Sequence, residues 1–168
     1  MLALLDRASR IMDLGLRCIL IVLMATLAAL IMAAVVFRYT GNSLRFYDEL
    51  AVILLAWITY YGAAYAALHS SHMATTGIVN LLPPRIRIAL FLFSRVVVIG
   101  FLGVLAVMGF RVLDAISGMN LTSLPGFPRA LAQHVVPVGA LLYILAEVLR
   151  FPKALQEARE GEIKAAAG

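Results

Sequence analysis

Charge is what this sequence has least of. Of 168 residues only 14% are Asp, Glu, Lys or Arg, 63% are hydrophobic, and the mean hydropathy is +0.97. Average soluble domains carry roughly a quarter charged residues, so this chain cannot cover a water-soluble surface. Cysteine is nearly absent too. Cys18 stands alone, which excludes an internal disulfide and a thiolate metal site. There is no glycine-rich phosphate loop, and Ser70 and Ser71 have no Ser-His-acid pattern around them. No cofactor, metal or enzymatic activity is expected. No repeat, low-complexity tract or linker divides the chain, so residues 1–168 are expected to form a single membrane domain, with its helices packed in one bundle. The net charge of +5 is spread over the ends of apolar runs instead of forming a stripe, which argues for membrane orientation and against nucleic acid.

What the sequence does have is long apolar runs. A helix needs about 20 apolar residues to cross a hydrocarbon core of about 30 Å. Residues 18–37 lie between Arg17 and Arg38, and 50–68 between Glu49 and His69. Residues 88–110 are interrupted only by Arg95, while 131–149 carry Gln133, His134, Pro137 and Glu147. These four predict four membrane spans. The first run exceeds the roughly 7–15 residues of a signal-peptide core, so it reads as a span and not as a cleaved leader. Nine cations (Arg7, Arg10, Arg17, Arg85, Arg87, Arg150, Lys153, Arg159, Lys164) fall on the side of the termini and four (Arg38, Arg45, Arg111, Arg129) on the other. The positive-inside rule then puts both termini in the cytoplasm.

Three connections look interfacial. In residues 1–17, Asp6, Ser9, Arg10, Asp13 and Arg17 share one helical face, and Leu4, Leu5, Ala8, Ile11, Met12 and Leu16 the other. That pattern predicts an amphipathic helix on the cytoplasmic surface before the chain turns into the bilayer. Gly41-Asn42-Ser43 signals a turn before the second span, and Pro83-Pro84 the start of the third. The connection 111–130, with Leu121, Leu124, Pro125, Phe127 and Pro128, is too apolar for a free loop and is expected to lie against the membrane or a partner.

Ionisable groups within spans are costly and so draw attention. Glu147 is the single carboxylate inside the four runs, and Arg95 the single cation. Arg95 enters about 12 Å along span three, and span four returns to bring Glu147 to similar depth, which predicts a cross-helix ion pair. The competing arrangement has Arg95 snorkelling to lipid phosphate while Glu147 pairs with Arg150. His69 and His72 stand three residues apart with no third ligand in sequence, and His134 lies at the other membrane face, so all three are read as interfacial hydrogen-bonding groups. Asp48 and Glu49 suit the N-terminus of span two, where the helix dipole favours acids. There Arg45 can pair with Glu49, or the two acids can contact a partner.

Span two also carries Glu49, Ile53, Trp57, Tyr60, Tyr61 and Ala64 along one stripe. Trp57 lies roughly 12 Å inside, too deep for an interfacial belt. The stripe faces either the chain's own helices or another subunit. Ala25, Ala29 and Ala33 form a small-xxx-small row, and Gly100 and Gly103 a weaker one. A chain without a mid-membrane carboxylate has no ion path of its own, which points to a subunit of something larger.

Phe37-Arg38-Tyr39, a short polar loop, Phe46-Tyr47-Asp48-Glu49, Trp57, Gly62-Ala63-Ala64, His72 and Leu82-Pro83 follow one another in that order, with Gly126-Phe127-Pro128 and Pro137-Val138-Gly139 later. In order and spacing this resembles the small membrane subunit of tripartite ATP-independent periplasmic (TRAP) transporters, the DctQ-like family, over residues 10–150. Phe46 stands where the family usually has tryptophan, and the aromatic and the two acids survive. The resemblance implies an all-α integral membrane protein of a bacterial inner membrane, with a large multi-span subunit as partner that carries the sodium and substrate sites. It implies a periplasmic binding protein that delivers an organic acid, and a small subunit that braces the static scaffold and helps dock that protein. Phe46, Tyr47, Asp48, Glu49, Trp57, Tyr61 and Gly62 are the expected partner-facing residues, beside the intramembrane pair Arg95 and Glu147. Two other readings fit the composition: a membrane anchor of a redox complex, which requires a haem in the absorption spectrum, and a self-contained small transporter, which requires activity from this chain alone in liposomes.

Overall fold

The structure, a computed structural model, describes residues 2–41, 46–69, 84–124 and 126–166. Five helices follow one another: α1 (Leu2–Tyr39), α2 (Tyr47–His69), α3 (Pro84–Ala115), the short α4 (Arg129–Gln133) and α5 (Val135–Ala166). Four segments are long and apolar enough to cross a membrane: Leu5–Tyr39, Tyr47–His69, Ile88–Ala115 and Arg129–Pro152. The protein is all-α, as its apolar runs require in lipid, where every backbone N–H and C=O must be satisfied within its own helix.

The N-terminal segment is helical, but it is not set off from span one by a turn. α1 runs unbroken for 38 residues, or about 57 Å at 1.5 Å per residue, well beyond a hydrocarbon core of about 30 Å. No proline lies in that stretch, and Gly15 costs only about 1 kcal/mol relative to alanine, too little to stop a helix that packs on both sides of it. Nor does its apolar face lie only on lipid. Leu16 is buried and Met12 half-buried against Ala64, Ala67, Leu68 and Ala146, while Ile11 and Leu14 stay exposed.

The helices form a row with α2 and α5 at the centre. α1 packs on α2 and α3 on α5, while α1 touches α5 only lightly. Leu16, Leu20, Leu23, Leu27, Leu30 and Ala34 are the inward positions of α1, spaced alternately four and three residues apart, the seam of left-handed helix packing. Elsewhere many of the buried side chains are small: Ala64, Ala67, Ala106, Ala140 and Ala146 are buried, beside Leu68, Leu121 and Val135. Lipid is as apolar as leucine, so helices here associate through close van der Waals approach, which small residues permit. Gly139 meets Tyr60 so closely that an added Cβ would lie 2.7 Å from the Tyr60 Cβ, and a Cβ on Gly109 would lie 3.0 Å from Pro137. Of the row Ala25, Ala29 and Ala33 the first two are exposed and Ala33 is half-buried, and nothing lies within 4 Å of a Cβ added at Gly100 or Gly103.

Span four is entered in two steps. His134 interrupts the helix between α4 and α5. Pro137 lacks the N–H that would reach Gln133 and its ring crowds that carbonyl, which accounts for the break. The connection from α3 is folded on itself. Gly118, at φ 89°, makes the left-handed turn, a conformation that costs other residues a Cβ clash. Leu121 then donates to Phe127 O at 3.0 Å and Arg129 to Met119 O at 2.9 Å. The apolar side chains of this connection are not all left to membrane or partner, since Leu121 turns inward and is buried.

Candidate subunit-docking surface and intramembrane charges

The aromatic stripe of α2 is occupied by the chain's own return helix. At the first turn of α2 Glu49 accepts hydrogen bonds from the backbone N–H of Ser123 at 2.8 Å and Thr122 at 3.3 Å, which pins the connection between α3 and α4 to the start of α2. Two turns further in, the Trp57 indole N–H donates to Ala132 O at 2.9 Å, and its ring meets His134 edge-on at 5.1 Å. Tyr60 abuts Gly139, Tyr61 packs on the buried cluster around Leu16 and Ala64, and Gly62 faces Leu20 of α1. A deep aromatic with a polar edge needs a hydrogen-bond partner, and α4 supplies one. Trp57, Tyr61 and Gly62 therefore hold their neighbours within the chain. The Trp57 and Tyr61 rings keep one side open to a groove of about 410 Å³ between α1 and α2, lined also by Cys18, Ile19, Val22 and Leu23.

Phe46, Tyr47 and Asp48 sit at the outer start of α2, with Asp48 exposed and the two aromatics half-buried. Asp48 and Glu49 occupy the first turn, where the helix dipole stabilises them. With Arg129 and Gln133 they form the polar rim of an outer cleft of about 490 Å³, whose wall includes Val52, Ile53, Ala56, Leu121 and Val136. The possible pairing of Glu49 with Arg45, the turn at Asn42-Ser43, Pro83 and His72 lie outside the described residues.

Arg95 and Glu147 are brought together across α3 and α5 in an ion pair through Arg95 Nη1 and Glu147 Oε2, with Glu147 buried. Phe91 lies under the guanidinium, its centroid at 5.1 Å, a cation–π contact. Arg150 does not take Glu147. Its Nη1 donates instead to Leu68 O at the last turn of α2, one of the carbonyls a helix end leaves open. His69 sits beside it, with Nε2 3.3 Å from Asp13 Oδ1 of α1 and its ring 4.5 Å from Tyr65. The Arg150–Leu68 and His69–Asp13 contacts join residues far apart in sequence and had no local signal. The clamp at Glu49 had none either, because its donors are backbone groups of Thr122 and Ser123. Among the described residues no cluster of three or more His, Cys, Asp or Glu is placed to hold a metal.

A family model described as "Tripartite ATP-independent periplasmic transporters, DctQ component" matches residues 27–157. That interval begins within α1, takes in the Glu49 clamp, the Trp57 bond and the Arg95–Glu147 pair, and ends just past Pro152. No curated protein matches the chain. With four segments fit to span a membrane and most of its length matched, the chain belongs to the DctQ family and is a component of a tripartite ATP-independent periplasmic transporter.

Proposed function

We propose that this chain is the non-catalytic scaffold subunit of a sodium-coupled, binding-protein-dependent transporter of organic acids in a bacterial inner membrane, with both termini cytoplasmic. In this reading it braces a large multi-span subunit that holds the sodium and substrate sites, and it helps dock the periplasmic binding protein. The observation that carries the reading is the state of Glu147, the one carboxylate inside the apolar runs 18–37, 50–68, 88–110 and 131–149: it is buried and taken up by Arg95, so it does not offer an ion a place to bind. The outer side of α1 and much of α3, including Ala25, Ala29, Val96, Phe101 and Val104, is exposed within this chain and is apolar enough for lipid or a second membrane protein. At the outer end, exposed Asp48 and the aromatics Phe46 and Tyr47 border the cleft and are the residues we assign to partner contact, with the open side of Trp57 and Tyr61 in the α1–α2 groove.

The test is co-expression with the neighbouring large transport protein and purification in mild detergent. A one-to-one complex is expected, and liposome uptake should require both chains, the binding protein and a sodium gradient. Asp48→Asn should lower uptake without lowering the membrane level of either chain. Uptake by this chain alone, or sodium-independent uptake by the full set, would overturn the proposal.

A further inference from the structure

We propose that the end of the bundle where α5 lies between α2 and α3, on the side of the chain termini, binds the headgroup of one anionic glycerophospholipid through Arg150 and Arg95. The argument begins with a charge count. Arg95 reaches Glu147 from α3 and Arg150 stands one turn beyond Glu147 on α5, and of the carboxylates at this end Glu147 is given to Arg95 and Asp13 faces His69. Among the described residues Arg150 has no carboxylate partner, and its polar contact is the neutral carbonyl of Leu68.

Arg150 therefore keeps a positive charge and donors that no carboxylate among the described residues takes up. Each guanidinium carries five N–H donors in a planar fork. A phosphodiester is the acceptor that such forks match best. Depth agrees with this assignment. Arg150 lies two residues from the end of the span Arg129–Pro152, at the level where lipid phosphates begin, and Arg95 lies deeper. Exposed apolar side chains flank the charges on the two helices, Leu92 and Val96 on α3, Val148 and Phe151 on α5, and offer acyl chains a surface to follow.

The same count selects the lipid class. A zwitterionic headgroup brings an ammonium that needs a free carboxylate, and Glu147 and Asp13 at this end already face Arg95 and His69. An anionic headgroup brings only the charge the site lacks.

Full-length chain, delipidated in a neutral maltoside detergent, is titrated with dioleoyl-phosphatidylglycerol, with dioleoyl-phosphatidylcholine and with inorganic phosphate, and followed by thermal unfolding and native mass spectrometry. Phosphatidylglycerol should raise the unfolding temperature and remain as one lipid per chain, while the other two at equal concentration should do neither. Arg150→Gln should weaken phosphatidylglycerol binding by about tenfold or more, the scale of one charge-assisted hydrogen bond, and Arg150→Lys should retain most of it. Helix content by circular dichroism should match wild type in both. Equal binding of the two lipids, wild-type binding by a folded Arg150→Gln, or stabilisation by inorganic phosphate alone would overturn the proposal. So would loss of the lipid when the large subunit is bound, since the cations would then belong to a protein interface.

Discussion

Arg95 and Glu147 show how a single substitution can be costlier than a double one. Glu147 is buried, and Arg95 reaches it from the neighbouring helix. Removing one partner leaves the other charge without compensation, at about 3–5 kcal/mol for a buried pair. Arg95→Met should therefore destabilise strongly, and Glu147→Gln should do so by leaving a cation in the bilayer, at about 2.5–3.5 kcal/mol or more near the centre. The double variant should cost less than the two singles combined, with a coupling of about 0.5–3 kcal/mol, read from unfolding of the purified chain in detergent. Strictly additive losses would mean that each charge is neutralised by something other than its partner. The two charges stand out in the sequence because lipid makes every ionisable group conspicuous. Which arginine takes the carboxylate is a different matter: Arg150 is nearer in sequence, but Leu68 O holds it.

Between elements, the quantity that matters is how closely two helices can approach. Gly139 and Tyr60 set that distance for α2 and α5, and an added Cβ would lie 2.7 Å from the Tyr60 Cβ, next to the backbone, where nothing flexible can give way. Gly139→Ala should cost about 1–3 kcal/mol, the usual range for overpacking, and should loosen the Trp57 bond to Ala132 that lies on the same interface. Tryptophan emission should then shift to the red, and the unfolding midpoint should fall. Gly103 has nothing within 4 Å of an added Cβ, so Gly103→Ala should leave stability unchanged or raise it by up to about 1 kcal/mol through helix propensity. Equal effects at the two glycines would show that approach distance does not govern this packing. Spacing alone made Ala25, Ala29 and Ala33 the attractive row. The seam actually used on α1 is its leucines, because α2 presents Ala64 and Ala67 there, and large residues on one helix need small ones opposite.

At the scale of the whole molecule, the helices lie in a row and not in a ring. The order α1, α2, α5, α3 leaves α1 and α3 as flanks, with long exposed apolar surfaces suited to lipid or to another subunit. An even number of spans puts both termini on one side, and the proposed cytoplasmic placement of that side rests on the distribution of Arg and Lys. With Cys18 replaced by serine, a cysteine introduced at Asn120, in the connection between α3 and α4, should react with an impermeant maleimide in intact spheroplasts. Labelling only after lysis would invert the topology. The same connection explains why Glu49 matters to architecture as well as to charge. Its two bonds to Thr122 and Ser123 fasten the outer loop over the start of α2, and the outer cleft is formed where they meet.

The chain by itself determined the apolar, all-α character, the presence of four segments fit to span a membrane and the two charges that stand out inside their apolar runs. Each of these follows from local composition measured against a fixed bilayer thickness, so no knowledge of neighbours is needed. The tertiary structure alone decided which face of each helix is spent within the chain. The α2 stripe reads equally well as a partner face or an internal one, because an aromatic side chain satisfies either. The return of α4 and α5, with a backbone carbonyl at Ala132 and a gap at Gly139, fills part of it, while Trp57 and Tyr61 keep one side open to the α1–α2 groove. The acceptors and donors that settled the matter, Ala132 O, Leu68 O and the amides of Thr122 and Ser123, belong to the backbone. Every residue has such groups, so the sequence cannot mark which of them a distant side chain will find.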